Sequence, residues 1–381
     1  MAATKRTRRL FMWLALVVVL AIGVAACGND DDETAEPADT AVQEAAPTPE
    51  ATAVQEATSV PTATAEPEAT VAPTEEADDE PFRVAYLSAS SANTWLLASR
   101  QEMEAVAAVE NVEITEFDAQ FNPSLQTTQF QDAIAAGIYD GVILVSINGI
   151  ASAPDIEAAL AAGMEVVILN QVVGEDFTTS EPQVEGVGAS VMAAPFQNGK
   201  RLGDLAVRAC GDLDPCEVVY IYGIKGVPLD DALRAGFDEV IAAYPAVSIV
   251  AEGEGQYLGP EGGINATQDI LQVAPNFNVL VGADQSVQGA EIVLSDEGKL
   301  DQVKLIGLGG SEPAIDGIAS GRWYAGVFGA PGDEGRIAMQ AMVSALRGGP
   351  DFGGVDPLVD LPDDGLMTID NVSLFTPQWA G

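Results

Sequence analysis

The sequence predicts an α/β protein whose folded part has two lobes, each built around a doubly wound parallel sheet. From residue 81 onward, short apolar segments alternate with longer helical stretches, and this rhythm occurs twice along the chain of 381 residues. Several segments, such as "GVILVS" and "EVVYIYG", are continuously apolar, which is typical of parallel strands buried on both faces by crossover helices. Two runs of strand–helix units in a chain of this length favour two lobes.

Nine strands are predicted, and helical stretches connect them. The first run has strands at 83–87, 112–118, 141–146 and 165–170, and the second run has strands at 217–223, 247–253, 278–283, 303–308 and 323–328. In open sheets of this kind, ligands bind beyond the carboxyl ends of the strands. The residues that follow each strand are therefore the candidates for a site.

The first 26 residues have the pattern of a secretory signal. Basic residues between Lys5 and Arg9 precede an apolar run from Leu10 to Ala26. The sequence "VAAC", ending at Cys27, resembles the lipobox of bacterial lipoproteins, which implies cleavage before Cys27 and a diacylglyceryl group on its sulfur. The run is at the short end of what spans a bilayer, and a retained membrane anchor is the alternative. Both interpretations place the folded part outside the cytoplasmic membrane and attached to it.

Residues 27–80 are expected to form a disordered tether that starts at the lipidated Cys27. Residues 28–80 contain 16 acidic side chains and no basic or aromatic ones, and they are rich in Ala, Thr and Pro. Such a composition cannot bury enough apolar surface to offset the entropy of ordering. Charge repulsion and the spacing of the prolines are expected to keep the tether extended.

Charge and composition exclude two classes of function. The formal net charge is −42, of which −30 falls on residues 81–381, so binding to nucleic-acid phosphates, which needs clustered Lys and Arg, is not expected. The chain has no histidine, so Ser–His–Asp and Cys–His catalysis are impossible, and no other catalytic pattern is found. The acidity is interpreted as a determinant of solubility.

Two cysteines besides Cys27 remain to be assigned. Cys210 and Cys216 flank "GDLDP", a turn-like connection between a predicted helix and a predicted strand. In an oxidising compartment, a close pair of cysteines favours a disulfide over a metal site. With two thiols and no histidine, no metal site is predicted.

Amides, an acid and aromatic residues recur after the predicted strands. Asn93 and Trp95 follow the first strand, and Tyr257 and Asp284 follow strands of the second run. Helix capping, turn formation or burial in a core would explain any one of these residues. Several such corners together favour a cleft for a small polar ligand.

Five motifs follow one another along the chain, namely "VAYLSASSANTWLL", "DGVILVSIN", "VVILNQ", "GFDEVIAAYP" and "VLVGADQSVQGA". In the order of these motifs the chain resembles the sugar-binding branch of type I periplasmic binding proteins, the group around ribose-binding protein, over roughly residues 82–375. The resemblance implies that three segments form a hinge, near residues 188–192, 328–332 and 355–360, and that the lobes close on a ligand. The lobes are then expected to comprise residues 81–189 plus 330–357 and residues 190–329 plus 358–381.

The resemblance also implies roles for particular residues. An Asn at the position of Asn93 hydrogen-bonds the sugar, and aromatic residues at the positions of Trp95 and Tyr257 lie against its faces. The other candidate binding residues are Ser146, Asn148, Asn170, Gln171, Arg234, Asp284 and Gln285. Gly309 and Gly329 stand where many members have binding side chains, which is expected to remove hydrogen bonds and to open space. We therefore expect a ligand other than a free pentose, either larger or less hydroxylated on that side.

These observations predict a monomeric solute-binding lipoprotein of an ABC importer, without a cofactor and with a sugar as its ligand. Its expected partners are the solute, a permease and the ATPase subunit of that permease, and the lipid anchor supplies its contact with the membrane. Alternative ligands are a nucleoside, an autoinducer-type furanose, or an amino acid held by Asp284 and Arg234. A sensor or chemoreceptor is the alternative to the permease.

Overall fold

The computed structural model describes residues 80–359 and 361–381. The strands are β1 (Phe82–Ser88), β2 (Val112–Asp118), β3 (Gly141–Leu144), β4 (Glu165–Leu169), β5 (Ala189–Val191), β6 (Cys216–Tyr222), β7 (Val247–Glu254), β8 (Val279–Ala283), β9 (Lys304–Gly309), β10 (Ala325–Phe328), β11 (Gly353–Val355) and β12 (Leu366–Thr368). The helices are α1 (Thr94–Val109), α2 (Pro123–Ala136), α3 (Gly149–Ala161), α4 (Pro195–Cys210), α5 (Pro228–Ile241), α6 (Pro260–Val273), α7 (Asp284–Asp296), α8 (Glu312–Ala319) and α9 (Pro331–Leu346). Short 3-10 turns occur at Leu300–Gln302, Pro362–Gly365 and Val372–Leu374.

The strands form two six-stranded sheets with matching topology. The first has the order β11-β5-β4-β3-β1-β2, and the second has the order β12-β10-β9-β8-β6-β7. All pairs in the described part of the chain are parallel except β10 with β12, which is antiparallel. The predicted fold class, two doubly wound parallel-sheet lobes, is confirmed.

The central strands of each sheet are buried on both faces, as the continuous apolar runs predicted. In β1, Val84 and Tyr86 pack with Met103 of α1 on one face, while alternate residues pack with Phe130 of α2 on the other. In the second sheet, Trp323 and Phe237 mark the two opposite cores. Burying one such side chain contributes roughly 1.5–3 kcal/mol. The apolar runs therefore fix both the strands and their double covering of helices.

The nine predicted strands are all present, and β5, β11 and β12 are additional. These three strands have only three residues each, which is too short for a hydrophobic period to show in a sequence. Strand β3 ends at Leu144, two residues before the predicted end. The missed strands lie toward the side of each sheet where the chain leaves for the other lobe.

The chain passes between the two sheets three times. It leaves the first sheet after β5 and enters α4, returns after β10 to α9, and leaves again between β11 and β12. Helix α9 packs against α1 and β4 of the first lobe. Because β5 pairs with β4 as far as Val191, the first connection begins two residues beyond the expected lobe limit at 189.

The predicted disulfide is confirmed at the end of α4. Cys210 and Cys216 are joined, with their Cα atoms 5.7 Å apart, and they link the helix to the start of β6. The predicted signal, the tether up to residue 79 and the lipidation site at Cys27 lie outside the described residues, as does residue 360 of the third hinge segment. Between residues 80 and 381, leaving out 360, no helix is long and apolar enough to cross a membrane. The same residues contain no cluster of His, Cys, Asp or Glu that could hold a metal ion.

Candidate functional site

A cavity of about 150 Å³ lies between the two lobes, at the carboxyl ends of strands from both sheets. Its lining includes eight side chains with polar groups, namely Asn93, Ser146, Asn170, Gln171, Asn198, Tyr257, Gln285 and Glu334. The rest of the described lining is apolar apart from Trp95 and Trp379, whose indole rings carry one N–H each. The largest apolar members are Leu96, Phe121, Val145, Ile147, Ile224, Val227, Leu229, Leu233, Leu308, Phe328 and Leu358.

Asn93 connects the two lobes at one edge of this cavity. Its Oδ1 accepts from the backbone N–H of Leu96 at 3.0 Å, which caps α1. Its Nδ2 donates to the backbone carbonyl of Tyr257, in the second lobe, at 2.9 Å. Asn93 is therefore both a helix cap and a bridge across the cleft.

Trp95 lies in the wall of the cavity and is half-buried. Its Nε1–H donates to Oε2 of Glu334 at 3.0 Å. Its ring packs edge-on against Trp379, with the ring centroids 5.4 Å apart. One side of the indole also touches the core of the first lobe, so the core and the cleft interpretations of this residue each hold for a different surface of the ring.

Glu334 is the acidic residue that lines the cavity on the first-lobe side, and it is not among the residues predicted from the sequence. It lies in the first turn of α9, where the chain re-enters the first lobe, and it is 3% exposed. Nδ2 of Asn170 donates to the same Oε2 at 3.0 Å, and Nε2 of Gln171 donates to Oδ1 of Asn170 at 3.2 Å. Burial raises the pKa of Glu334 to about 7, against the opposing effect of the Asn170 and Trp95 donors.

Asn170 follows β4 in a left-handed conformation, with φ of +64°. Asparagine tolerates this region better than most residues, which suits an amide at this corner. The backbone N–H of Asn170 donates to the carbonyl of Val191 at 2.9 Å, so the turn is fixed to β5. Both Asn170 and Gln171 line the cavity, as expected for candidate binding residues.

The two candidates that follow β3 have different positions. Ser146 lines the cavity and is 1% exposed, and its hydroxyl hydrogen-bonds the hydroxyl of Ser152 at 2.7 Å. Asn148 is exposed and outside the cavity lining. Its Oδ1 accepts from the backbone N–H of Ala151 at 3.3 Å, so it caps α3. Asn148 is therefore a helix cap, and it does not lie in the cleft as expected.

Tyr257 lines the cavity from the second lobe, and its hydroxyl is already engaged. The hydroxyl donates to Oδ1 of Asp230 at 2.9 Å, and Asp230 also accepts from the backbone N–H groups of Gly223 and Ile224 at 2.7 and 3.1 Å. The ring covers Gly223 so closely that a Cβ there would lie 1.8 Å from it. Burial raises the pKa of Asp230 to about 6, against these donors. This acid holds the turn and the tyrosine, so Tyr257 presents mainly its ring and its backbone to the cavity.

The neighbouring candidates Gln285 and Asp284 point in different directions. Nε2 of Gln285 donates to the Thr94 hydroxyl at 3.2 Å and to the Tyr257 carbonyl at 3.3 Å, so it joins the bridge made by Asn93. Asp284 is fully buried outside the cavity lining, and its Oδ2 accepts from the backbone N–H of Ser311 at 2.7 Å. Burial raises the pKa of this carboxyl to about 6. The expectation that Asp284 lines the cleft does not match its position, because its carboxyl packs against the glycines of β9.

Arg234 also lies outside the cavity lining. Its guanidinium donates to the Tyr222 hydroxyl at 2.7 Å, to Glu252 at 2.6 Å and to Asp238 at 2.8 Å. It also lies over the rings of Tyr220 and Tyr222, 5.2 and 5.6 Å from their centroids. These partners hold the arginine between α5 and β7, away from the expected site.

The space expected at Gly309 and Gly329 is filled by the two tryptophans. A Cβ at Gly329 would lie 2.2 Å from the Trp95 ring, and a Cβ at Gly309 would lie 2.6 Å from the Trp379 ring. Nε1 of Trp379 donates to the carbonyl of Gly309 at 2.8 Å. The expectation of open space is therefore wrong. The two glycines make room for indole rings. These rings give the cleft an apolar surface at the positions where empty space was expected.

The sequence and the fold match those of known proteins. Residues 84–350 match the periplasmic binding protein domain family. The chain belongs to this family. The ribose import binding protein of Bacillus subtilis (strain 168) is 24% identical over 264 residues, which cover 69% of this chain and 81% of that protein.

Solved structures show the same fold for this periplasmic binding protein. An ABC transporter solute binding protein from Mycobacterium smegmatis, crystallised with glycerol, is 25% identical with a TM-score of 0.66, over 79% of this chain and 99% of that one. A solute binding protein from Bacillus halodurans C-125, crystallised with myo-inositol, is 19% identical with a TM-score of 0.67, over 79% and 98% of the two chains. The predicted resemblance to type I sugar-binding periplasmic proteins is confirmed.

Sequence reasoning missed two important residues of this periplasmic binding protein's cleft, Glu334 and Trp379. An acid in the first turn of a helix is ordinary, and the only signal for Glu334 was its place directly after the second predicted hinge segment. Trp379 belongs to no strand–helix unit and reaches Gly309 from 70 residues away. An aromatic residue near the end of the sequence gives no indication of such a contact.

Proposed function

We propose that this periplasmic binding protein is the extracytoplasmic solute-binding component of an ABC importer, and that its ligand is an uncharged sugar or polyol. The observation that carries the proposal is the cavity between the lobes, where strand ends of both sheets supply amides, one buried acid and aromatic walls. This arrangement suits a ring that has C–H groups on its faces and hydroxyls at its rim. The ribose import binding protein and the solute binding proteins named above support the sugar and importer assignments.

The positions of the charged residues support an uncharged ligand over an amino acid. An amino acid would need partners for both its ammonium and its carboxylate, and the expected pair was Asp284 and Arg234. Both lie outside the described lining of the cavity and are engaged elsewhere. A nucleoside or an autoinducer-type furanose is less favoured than a sugar, because the named relatives include a ribose importer protein.

The bridging contacts support a mechanism in which ligand stabilises the closed arrangement of the lobes. Asn93 already joins the two lobes by donating to the Tyr257 carbonyl, and Gln285 does so by donating to the Thr94 hydroxyl. A ligand that contacts both walls adds interactions that exist only when the lobes are together, and so shifts the population toward the closed state. A permease would recognise that closed form, while ATP hydrolysis would occur on its ATPase subunit. We infer a binding role without catalysis.

The anchoring of the protein is part of the same proposal. We propose that residues 1–26 are a cleaved signal, that Cys27 carries the lipid, and that residues 27–80 tether a monomer to the outer face of the cytoplasmic membrane. We also propose that the lobes comprise residues 81–191 plus 330–357 and residues 192–329 plus 358–381, where the first limit, expected at residue 189, follows the end of β5.

A thermal-shift screen of the purified full chain tests the proposed function. The compounds are monosaccharides, disaccharides, polyols, nucleosides and amino acids. A ligand at 100 times its dissociation constant stabilises a binding protein by about 2.7 kcal/mol, so a cognate sugar should raise the melting temperature clearly. A response to sugars or polyols supports the assignment. A response to nucleosides or amino acids alone, or to none of the compounds, contradicts it.

A further inference from the structure

The polar side chains of the cleft are largely bonded to one another. Both polar atoms of Asn93 are used, one by the helix α1 cap and the other by Tyr257. Both polar atoms of the Asn170 amide are also used, by Glu334 and by Gln171. Ser146 is bonded to a neighbouring serine. The amides of Asn93 and Asn170 and the hydroxyl of Ser146 would therefore have to exchange a present partner to bind a ligand hydroxyl.

The second-lobe wall is mainly apolar. The turn after β6 and the first turns of α5 supply Ile224, Val227, Leu229 and Leu233, and Leu308 comes from β9. The hydroxyl of Tyr257 is turned toward Asp230 and away from the cavity. A ligand hydroxyl directed at these aliphatic side chains, and not at Asn198 or Gln285 of the same lobe, would lose its water and gain no partner, which weakens binding.

The cleft has a single charged side chain among its described lining residues. This is Glu334, whose Oε2 accepts from Trp95 and Asn170. No Lys or Arg lines the described part of the cavity. The site therefore suits a ligand that offers a hydrogen-bond donor to Glu334, and it disfavours a carboxylate or a phosphate.

We propose that the ligand is a deoxy sugar, in which hydrogen or a methyl group replaces at least one hydroxyl of the parent sugar. Its hydroxylated edge lies at Glu334 and Gln171, its ring lies against the Trp95 and Trp379 indoles, and its deoxygenated edge lies against the wall around Leu229. This inference rests on the proposed function, since it specifies which sugars the same cleft prefers. It goes further by assigning discrimination to the second-lobe wall.

Calorimetric titration of the full chain with matched sugar pairs tests the inference. The pairs are D-fucose with D-galactose, L-rhamnose with L-mannose, and 2-deoxy-D-ribose with D-ribose. For the pair that binds most tightly, the deoxy member is expected to bind about 10-fold more tightly than its parent, because one buried hydroxyl remains unpaired in the parent. D-galacturonate is expected to bind at least 10-fold more weakly than D-galactose.

Equal or tighter binding of the parent sugar in the best pair overturns the deoxy-sugar inference and leaves the proposed function standing. So does tighter binding of D-galacturonate than of D-galactose. Failure of every sugar and polyol to bind overturns both. The two kinds of failure are thus distinguishable.

A pair of leucine variants tests the role of the wall itself. Leu229→Asn adds a hydrogen-bonding amide of similar size to the cavity lining, and the preference for the deoxy sugar is expected to shrink at least threefold. Leu213→Asn makes the same change in the same lobe at a side chain that is 45% exposed and outside the cavity lining, and it should keep the preference. Melting curves identify a variant that fails to fold. An unchanged preference in folded Leu229→Asn contradicts the assignment, and a matching loss in both variants contradicts it as well.

Discussion

The two walls of the cleft stand on sheets of the same topology, yet they differ in chemistry. The first-lobe wall carries Glu334, Asn170 and Gln171 together with the Trp95 ring. The second-lobe wall is formed chiefly by aliphatic side chains between Ile224 and Leu233. A shared fold therefore fixes where a ligand lies, while the residues after each strand decide what each wall can recognise.

The difference arises from where each lobe directs its buried acids. In the second lobe, Asp230 and Asp284 turn inward and accept from backbone N–H groups, which stabilises the turns and removes both carboxylates from the cleft. In the first lobe, Glu334 meets two side-chain donors at the cavity itself. We therefore expect the first wall to supply most of the affinity and the second wall to supply selectivity.

Trp95→Ala should produce the largest loss of affinity. The substitution removes an aromatic wall and also one of the two donors to Glu334, and we expect the dissociation constant of the tightest-binding sugar to rise at least 100-fold. Tryptophans that anchor a binding site contribute about 2 kcal/mol or more. Calorimetric titration measures the change, and Trp95→Phe, which keeps a ring without the N–H, should lose less. If a folded Trp95→Ala protein binds with unchanged affinity, Trp95 contributes to the core of the first lobe and not to ligand binding.

Glu334→Gln should produce the next largest effect. The variant keeps an oxygen that can accept from Trp95 and Asn170 but loses the charge, and a hydrogen bond to a charged group contributes about 1.5–3 kcal/mol. We expect the dissociation constant for the same sugar to rise about 30-fold. The control is Glu312→Gln, at an acid in the first turn of α8 that lies outside the cavity lining. If Glu334→Gln and the wild-type protein bind the sugar with equal affinity, the carboxylate does not contribute to ligand recognition.

The stability of the ligand-free protein should depend on pH because of the same acid, Glu334. Because burial raises the pKa of Glu334 from 4.5 to about 7, the native state binds this proton over a pH range where the unfolded chain has lost it. The wild-type protein therefore loses stability as the pH rises from 5.5 to 7.5, and Glu334→Gln lacks this contribution. We expect the melting temperature of the variant, relative to the wild type, to increase by roughly 4 °C over that range. Calorimetric scans at several pH values check the trend, and a constant difference would contradict it.

Ile224→Ala in the second wall should have the smallest effect on affinity. It removes part of an apolar surface and no hydrogen bond, so a loss of about 1 kcal/mol, or roughly fivefold in the dissociation constant, is expected. Ile150→Ala, at an exposed side chain outside the lining, is the matched control. A loss larger than that of Glu334→Gln would reverse the assignment of affinity to the first wall.

The sequence allowed the strands, the lobes and the first corner to be predicted, because each depends on local pattern. Apolar runs long enough to show a period marked nine strands, and Asn93 and Trp95 stood where a strand meets a helix. The directions of Asp284 and Arg234 could not be predicted in this way. They depend on Ser311 and Glu252, which other elements bring close in the fold.

The tryptophan packing shows the same limit more sharply. Gly309 and Gly329 could be recognised as positions without a side chain, and open space was the natural expectation. The rings that occupy this space come from Trp95 and Trp379, at opposite ends of the folded part of the chain. Such packing joins residues that are far apart in the sequence, so no local pattern predicts it.

A crystal structure of the full chain with the tightest-binding sugar would show directly where the ligand lies. We expect its ring between the lobes, against the Trp95 and Trp379 indoles, with its hydroxyls hydrogen-bonded to Glu334 and Gln171. Its least polar edge should face Ile224 and Leu229. A sugar bound outside this cleft, or one whose hydroxyls are directed mainly at the second-lobe wall, would contradict the proposed roles of the two walls.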